Sequence, residues 1–234
     1  MSDWLGVLAL SVPALHALLM GMIGYPFAMR RRNGMQKFHR SGFTWWLIAL
    51  TVVLVLVLTT HPGQLDPGNP ASGGLTAHRV ILTALLALVG CFCVESFASL
   101  LQRARKRSVQ DRGTQRYESA LPDWARTPGV EMLLLTATAV LEEAVYRGIG
   151  LTWLRTDAGA SAAVAVGISA VAFGAAHWYY GPRQIVLKSL LGVILGIAAL
   201  TAGWLTSAIA HVALNALLVA LAWRVGRSDD KVAA

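Results

Sequence analysis

Long apolar runs separated by short polar and basic stretches recur along the whole chain. They read as seven helices, over residues 4–29, 43–60, 79–101, 128–155, 160–180, 184–201 and 204–223. Crossing a bilayer takes about 20 predominantly apolar residues, so each run is of spanning size and no stretch between them is long enough for a separate soluble domain. The breaks carry turn chemistry: Pro62, Pro67, Pro70 and the Gly73-Gly74 pair mark a loop between residues 61 and 78, and Thr127-Pro128 reads as a cap and first-turn proline opening the fourth helix. The pattern predicts an all-α polytopic membrane protein, about seven transmembrane helices in one bundle, forming a single domain over residues 1–234. It shows no internal repeat.

Composition agrees. Of 234 residues, 56% are hydrophobic and 14% charged, and the mean hydropathy is +0.56, outside the usual range of soluble domains. The first apolar run has no basic segment before it and is followed by Arg30, Arg31 and Arg32. It therefore reads as a span rather than a cleaved signal peptide. Cys91 and Cys93 are the only cysteines. Two positions apart on a helix, their side chains point about 200° apart, which excludes a disulfide between them and gives no metal-ligand spacing.

The net charge of +8 does not mark a nucleic-acid surface, because the basic residues sit in short loops beside apolar runs rather than along an amphipathic face. Five of the 20 lie between Arg30 and Arg40 and seven between Arg103 and Arg126; Arg183 and Lys188 flank a further turn, and Arg224, Arg227 and Lys231 lie near the end. With seven spans these groups share one side, and the positive-inside rule makes that side cytoplasmic, with the N-terminus outside and the C-terminus inside. Arg79 and Arg155 fall on the other side. Trp4, Trp153 and Trp204 near outer ends, and Trp45, Trp124, Trp178 and Trp223 near inner ones, fit an interfacial aromatic belt.

Ionisable groups inside a span cost about 2.5–3.5 kcal/mol each on insertion scales, so Glu142, Glu143 and Arg147 in the fourth helix need a reason. Glu143 and Arg147 are four apart and share a face, whereas Glu142 lies about 100° from Glu143 and about 140° from Arg147. Glu143 is thus expected to hold Arg147, leaving Glu142 free to act as a general base or acid. The fifth helix brings His177, with Phe173 one turn before it on the same face, after a Gly174-Ala175-Ala176 stretch that allows close helix approach. In the seventh, His211 and Asn215 share a face at i and i+4 and can both donate to one oxygen, as an oxyanion hole requires. His16, His39, His61 and His78 receive no role. Glu95, in the third helix, is expected to snorkel to the cytoplasmic end or to pair with Arg103.

E-E-x-x-x-R at Glu142 to Arg147, F-x-x-x-H at Phe173 to His177 and H-x-x-x-N at His211 to Asn215 together resemble the CAAX protease and bacteriocin-processing family, which includes the type II CAAX prenyl endopeptidases. The resemblance covers the C-terminal half of the chain, about residues 128–223. It implies a glutamate-type intramembrane peptidase in which Glu142 and His177 activate a water, His211 and Asn215 stabilise the oxyanion, and Glu143, Arg147 and Phe173 support the site. No cofactor is expected. Zinc held by two histidines and a glutamate is the mechanistic rival, although no H-E-x-x-H spacing is present.

Counting about 1.5 Å per residue from the outer turns puts Glu142, His177, His211 and Asn215 between about 12 and 24 Å deep, near mid-membrane. The expected substrate is a membrane-anchored protein cut near its C-terminal anchor. Charge counting places the turn after the glutamate helix outside, which favours exported substrates, with the protein in a bacterial inner membrane, over prenylated cytoplasmic ones. A non-catalytic transporter or immunity-type binding module is the alternative from a different class. Against it stand the missing repeat halves and the absence of glycine- or proline-broken spans in pairs. Nothing in the sequence fixes the oligomeric state.

Overall fold

The computed structural model describes residues 4, 6–11, 15, 34–60, 65, 76–108, 128–178 and 182–232. Most of the expected first span, the 61–78 loop and the basic stretch after residue 108 lie outside these. Among the described residues there is no strand. The helices are α1 (Gly34–Thr60), α2 (Ala77–Ser108), α3 (Pro128–Glu143), α4 (Thr152–Thr156), α5 (Ala162–Ala175), α6 (Pro182–Ala202) and α7 (Trp204–Val232), with a π-helical segment, Ala144–Leu151, joining α3 to α4.

Among the described residues, three stretches are long and apolar enough to cross a membrane: Ala77–Leu100, Pro182–Ala202 and Trp204–Leu221; Trp45–Thr60 and Ala162–Ala175 are shorter apolar helices. Large side chains on their outer faces are open, among them Val52, Leu86 and Val186 at 50%, 65% and 62% exposure. A soluble protein rarely leaves apolar surface so continuous, and lipid is the solvent that accepts it.

The inner faces form three clusters. Trp46, Leu50, Val53 and Val57 follow one another at spacings of four, three and four residues, a single stripe of α1, and pack with Val145, Tyr146, Ile149, Phe173 and Ala176. Residues of α2, α6 and α7 meet around Cys91, Leu191, Leu195 and Leu214. Leu151, Leu154, Ala165 and Val166 join the far end of the π segment to α5. Cys91 is buried and Cys93 exposed, on opposite sides of α2.

Small residues set the spacing of α5 and α6. A Cβ on Gly192 would come within 2.9 Å of the Ala170 Cα, and one on Gly174 would run into Ser189. The backbones touch because neither position carries a side chain. α6 then turns into α7 through one residue, Gly203, whose φ of +84° suits glycine; its N–H donates to the Ala199 carbonyl at 2.8 Å.

Two expectations change. The helical run from Pro128 is continuous to Thr156, but it is π-helical between Ala144 and Leu151 rather than α-helical throughout. The Thr152 hydroxyl donates to the Arg147 carbonyl five residues back, at 3.3 Å, in keeping with the wider turns. A period of 3.6 residues read along an almost wholly apolar run cannot reveal such an insertion. Glu95, for its part, pairs with Lys188 of α6, at 2.9 Å, while the Arg103 side chain expected as its partner lies outside the described residues. Lys188 therefore points into the bundle as a partner for a membrane carboxylate, rather than serving only as a loop charge.

Candidate active site

α3 ends at Glu143, so both glutamates sit where the helix widens. Every residue from Glu142 to Leu151 is buried. Glu143 Oε1 accepts hydrogen bonds from Arg147 Nη1 and from His211 Nδ1, each at 3.0 Å. One carboxylate thus serves two cationic or potentially cationic partners, one from its own helix and one from α7. Arg147 also donates through Nη2 to the Gly192 carbonyl at 3.3 Å, possible because α6 comes so close at that glycine. Its guanidinium carbon lies 4.5 Å from the Phe173 ring centroid, a cation–π contact away from water. Leaving a buried guanidinium uncompensated would cost several kcal/mol; here it has a carboxylate, a carbonyl and a ring.

Phe173 is the apolar hub. Its ring meets those of Tyr146, His177 and His211 edge-on, with centroids 5.5, 4.9 and 5.9 Å away. Packing against it fixes the planes of both histidines. The Ser169 hydroxyl, one turn earlier on α5, donates to the Tyr146 carbonyl at 3.1 Å and ties α5 to the π segment.

Glu142 is turned away from Arg147 and faces both histidines. His177 Nε2 is 3.9 Å from Glu142 Oε1, and His211 Nε2 is 4.0 Å from Glu142 Oε2. These separations exceed a direct hydrogen bond and suit a bridging molecule. The other ring nitrogens are committed. His177 Nδ1 donates to the Phe173 carbonyl at 2.9 Å, and since a carbonyl only accepts, a proton is on Nδ1; in the neutral ring the Nε2 atom on the Glu142 side then carries the lone pair. His211 Nδ1 is held by Glu143.

The structure thus brings together Glu142, Glu143, Arg147, Phe173, His177 and His211. Asn215 stands one turn beyond His211 on α7, half-buried, with no hydrogen bond to the others among the described residues. No group of three His, Cys, Asp or Glu side chains is arranged to hold a metal ion among the described residues.

One member of the cluster was not foreseen. Glu142 is not free: the Trp46 indole Nε1 donates to its Oε1 at 3.0 Å, from α1. The interfacial-belt reading covered the neighbouring Trp45, which is 54% exposed. Spacing along α1 carried no signal for Trp46, since the residues on both its faces are apolar and only packing separates the buried stripe from the lipid-facing side.

An apolar helical bundle enclosing a carboxylate–histidine cluster defines an integral membrane protein with a candidate hydrolytic centre. Residues 127–217 match the family described as type II CAAX prenyl endopeptidase Rce1-like. The match makes that segment similar to the CAAX proteases, a family of proteases. It contains every member of the cluster except Trp46. No curated protein and no solved structure matches the chain.

Proposed function

We propose that this protein is a glutamate-type intramembrane endopeptidase, cutting a peptide bond near the membrane-anchored C-terminus of protein substrates. The observation that carries the reading is the convergence of Glu142, His177 and His211 at 3.9 and 4.0 Å within a buried cluster. A water between these groups donates one proton to Glu142 and hydrogen-bonds to the His177 Nε2 lone pair, while its oxygen attacks the substrate carbonyl. Charge then develops on the carbonyl oxygen, which His211 and the Asn215 amide stabilise as donors. Donation from His211 Nε2 requires protons on both ring nitrogens, since Nδ1 already donates to Glu143. The Glu143 carboxylate compensates that charge. Collapse of the tetrahedral intermediate breaks the C–N bond, and the proton taken up by Glu142 passes to the departing amine.

In this account the whole chain is one membrane domain of seven spans, with residues 128–223 its catalytic half. The basic loops lie in the cytoplasm and the N-terminus outside, in a bacterial inner membrane. The site then serves exported, membrane-anchored proteins. In this reading no resident cofactor takes part, and the rival is zinc, for which the Nε2 atoms of His177 and His211 and the Glu142 carboxylate would be the ligands.

The test compares the C-termini of membrane proteins, by mass spectrometry, in cells carrying the wild type, Glu142→Gln or His177→Ala. Longer precursors should accumulate with both variants. If neither accumulates any, the cluster is not peptidolytic and a binding or transport module becomes the better account.

A further inference from the structure

The family-matched segment ends at residue 217 and begins at 127, yet the hydrogen bond to Glu142 comes from residue 46. Trp46 and Glu142 are both buried, at 3% and 4% exposure. The indole is the first member of the stripe Trp46, Leu50, Val53 and Val57 by which α1 docks on the π segment and α5. Its place is therefore set by packing along more than two turns rather than by the hydrogen bond alone.

A carboxylate has two equivalent oxygens, and the terminal torsion that exchanges their directions is broad and soft. Here the oxygens are not equivalent. Oε1 receives the Trp46 N–H and lies 3.9 Å from His177 Nε2, while Oε2 lies 4.0 Å from His211 Nε2. Indole Nε1–H is a donor only, with one proton and a rigid ring behind it, so it cannot swap roles as a hydroxyl, an amide or a water can. The geometry points to Trp46 as a positioning residue for hydrolysis. Its N–H fixes the Glu142 carboxylate plane so that one oxygen is directed to each histidine, and α1 is in this way part of the hydrolytic unit. This rests on Glu142 being the base, as proposed above.

The test uses the full-length protein in nanodiscs, acting on a precursor that accumulates in Glu142→Gln cells. Two changes remove the donor: Trp46→Phe, and β-(3-benzothienyl)alanine incorporated at position 46, which replaces N–H by sulfur in a ring of nearly the same shape. Both should lower kcat by about 10- to 100-fold, the size of one hydrogen bond to a charged group, with KM within about twofold and, for the isostere, an unchanged melting temperature. Wild-type kcat with the isostere overturns the inference. So does a loss explained by a smaller folded fraction, or a rise in KM at constant kcat. Glu142→Gln is measured in parallel. If it is inactive and the isostere fully active, only the role of Trp46 fails; if Glu142→Gln itself turns over, the assignment of Glu142 as base fails first.

Discussion

Glu142 and Glu143 are neighbours in sequence, equally buried, and yet should respond very differently to the same substitution. Glu143→Gln keeps the shape and one acceptor oxygen but removes the charge that faces Arg147 and His211 at 3.0 Å each. Arg147, at 1% exposure, then loses its anionic partner and keeps a neutral amide oxygen, the Gly192 carbonyl and the Phe173 and Tyr146 rings. Breaking one side of a buried ion pair costs about 3–5 kcal/mol. For a chain of this size each kcal/mol corresponds to about 2–4 °C, so the melting temperature should fall by about 6–20 °C. Glu142→Gln leaves the Glu143–Arg147 pair intact, its nearest histidine nitrogens are 3.9 and 4.0 Å away, and the glutamine carbonyl can still accept from Trp46, so the loss should stay within about 1 kcal/mol. The assay is thermal unfolding of the purified variants in the same detergent, together with their steady-state abundance in membranes. Equal melting temperatures and equal abundance would falsify the division between a supporting Glu143 and a chemically active Glu142.

His177→Ala should reduce turnover by about 10²- to 10⁴-fold, the range of general acid–base groups, with little change in abundance. Asn215→Ala should cost about 10²- to 10³-fold in kcat as a lost oxyanion donor; an unaltered rate would remove Asn215 from the site. Gly192→Ala places a methyl 2.9 Å from the Ala170 Cα, so overpacking should destabilise the protein by about 1–3 kcal/mol, measured by thermal unfolding. Activity should survive exhaustive dialysis against a chelator; its loss, restored by zinc, would revive the metal mechanism. A reporter fused near Thr156 should be active only when it functions outside the cytoplasm, and cytoplasmic activity would reverse the assigned orientation.

The sequence made the chemistry more legible than the scaffold. Charges stand out against an apolar helix because they are costly there, and the four-residue spacing of Glu143 and Arg147 already indicated a pair. The grouping of His177 with His211 and Glu142 depended on three short patterns in a fixed order, each tied to a helix face. Contacts that needed the third dimension stayed hidden. The Gly192 carbonyl reaches Arg147 only through a backbone approach set by Ala170 and Gly174 of α5. Lys188 looked like a loop charge until α2 brought Glu95 to within 2.9 Å of it. Trp46 lay in a run where lipid-facing and core-facing residues have the same polarity. In water, burial writes a contrast into the sequence; in lipid that contrast is nearly absent, so α1 concealed its inner face.

The most direct measurement is cleavage by purified protein. Wild-type protein in nanodiscs, given the precursor that accumulates in Glu142→Gln cells, should generate the shortened C-terminus seen in wild-type cells. The rate should exceed that of equally folded Glu142→Gln by about 10²-fold or more. Equal rates for the two proteins, or no cleavage by the wild type of any such precursor, would contradict the claim that Glu142 is the base of an intramembrane peptidase.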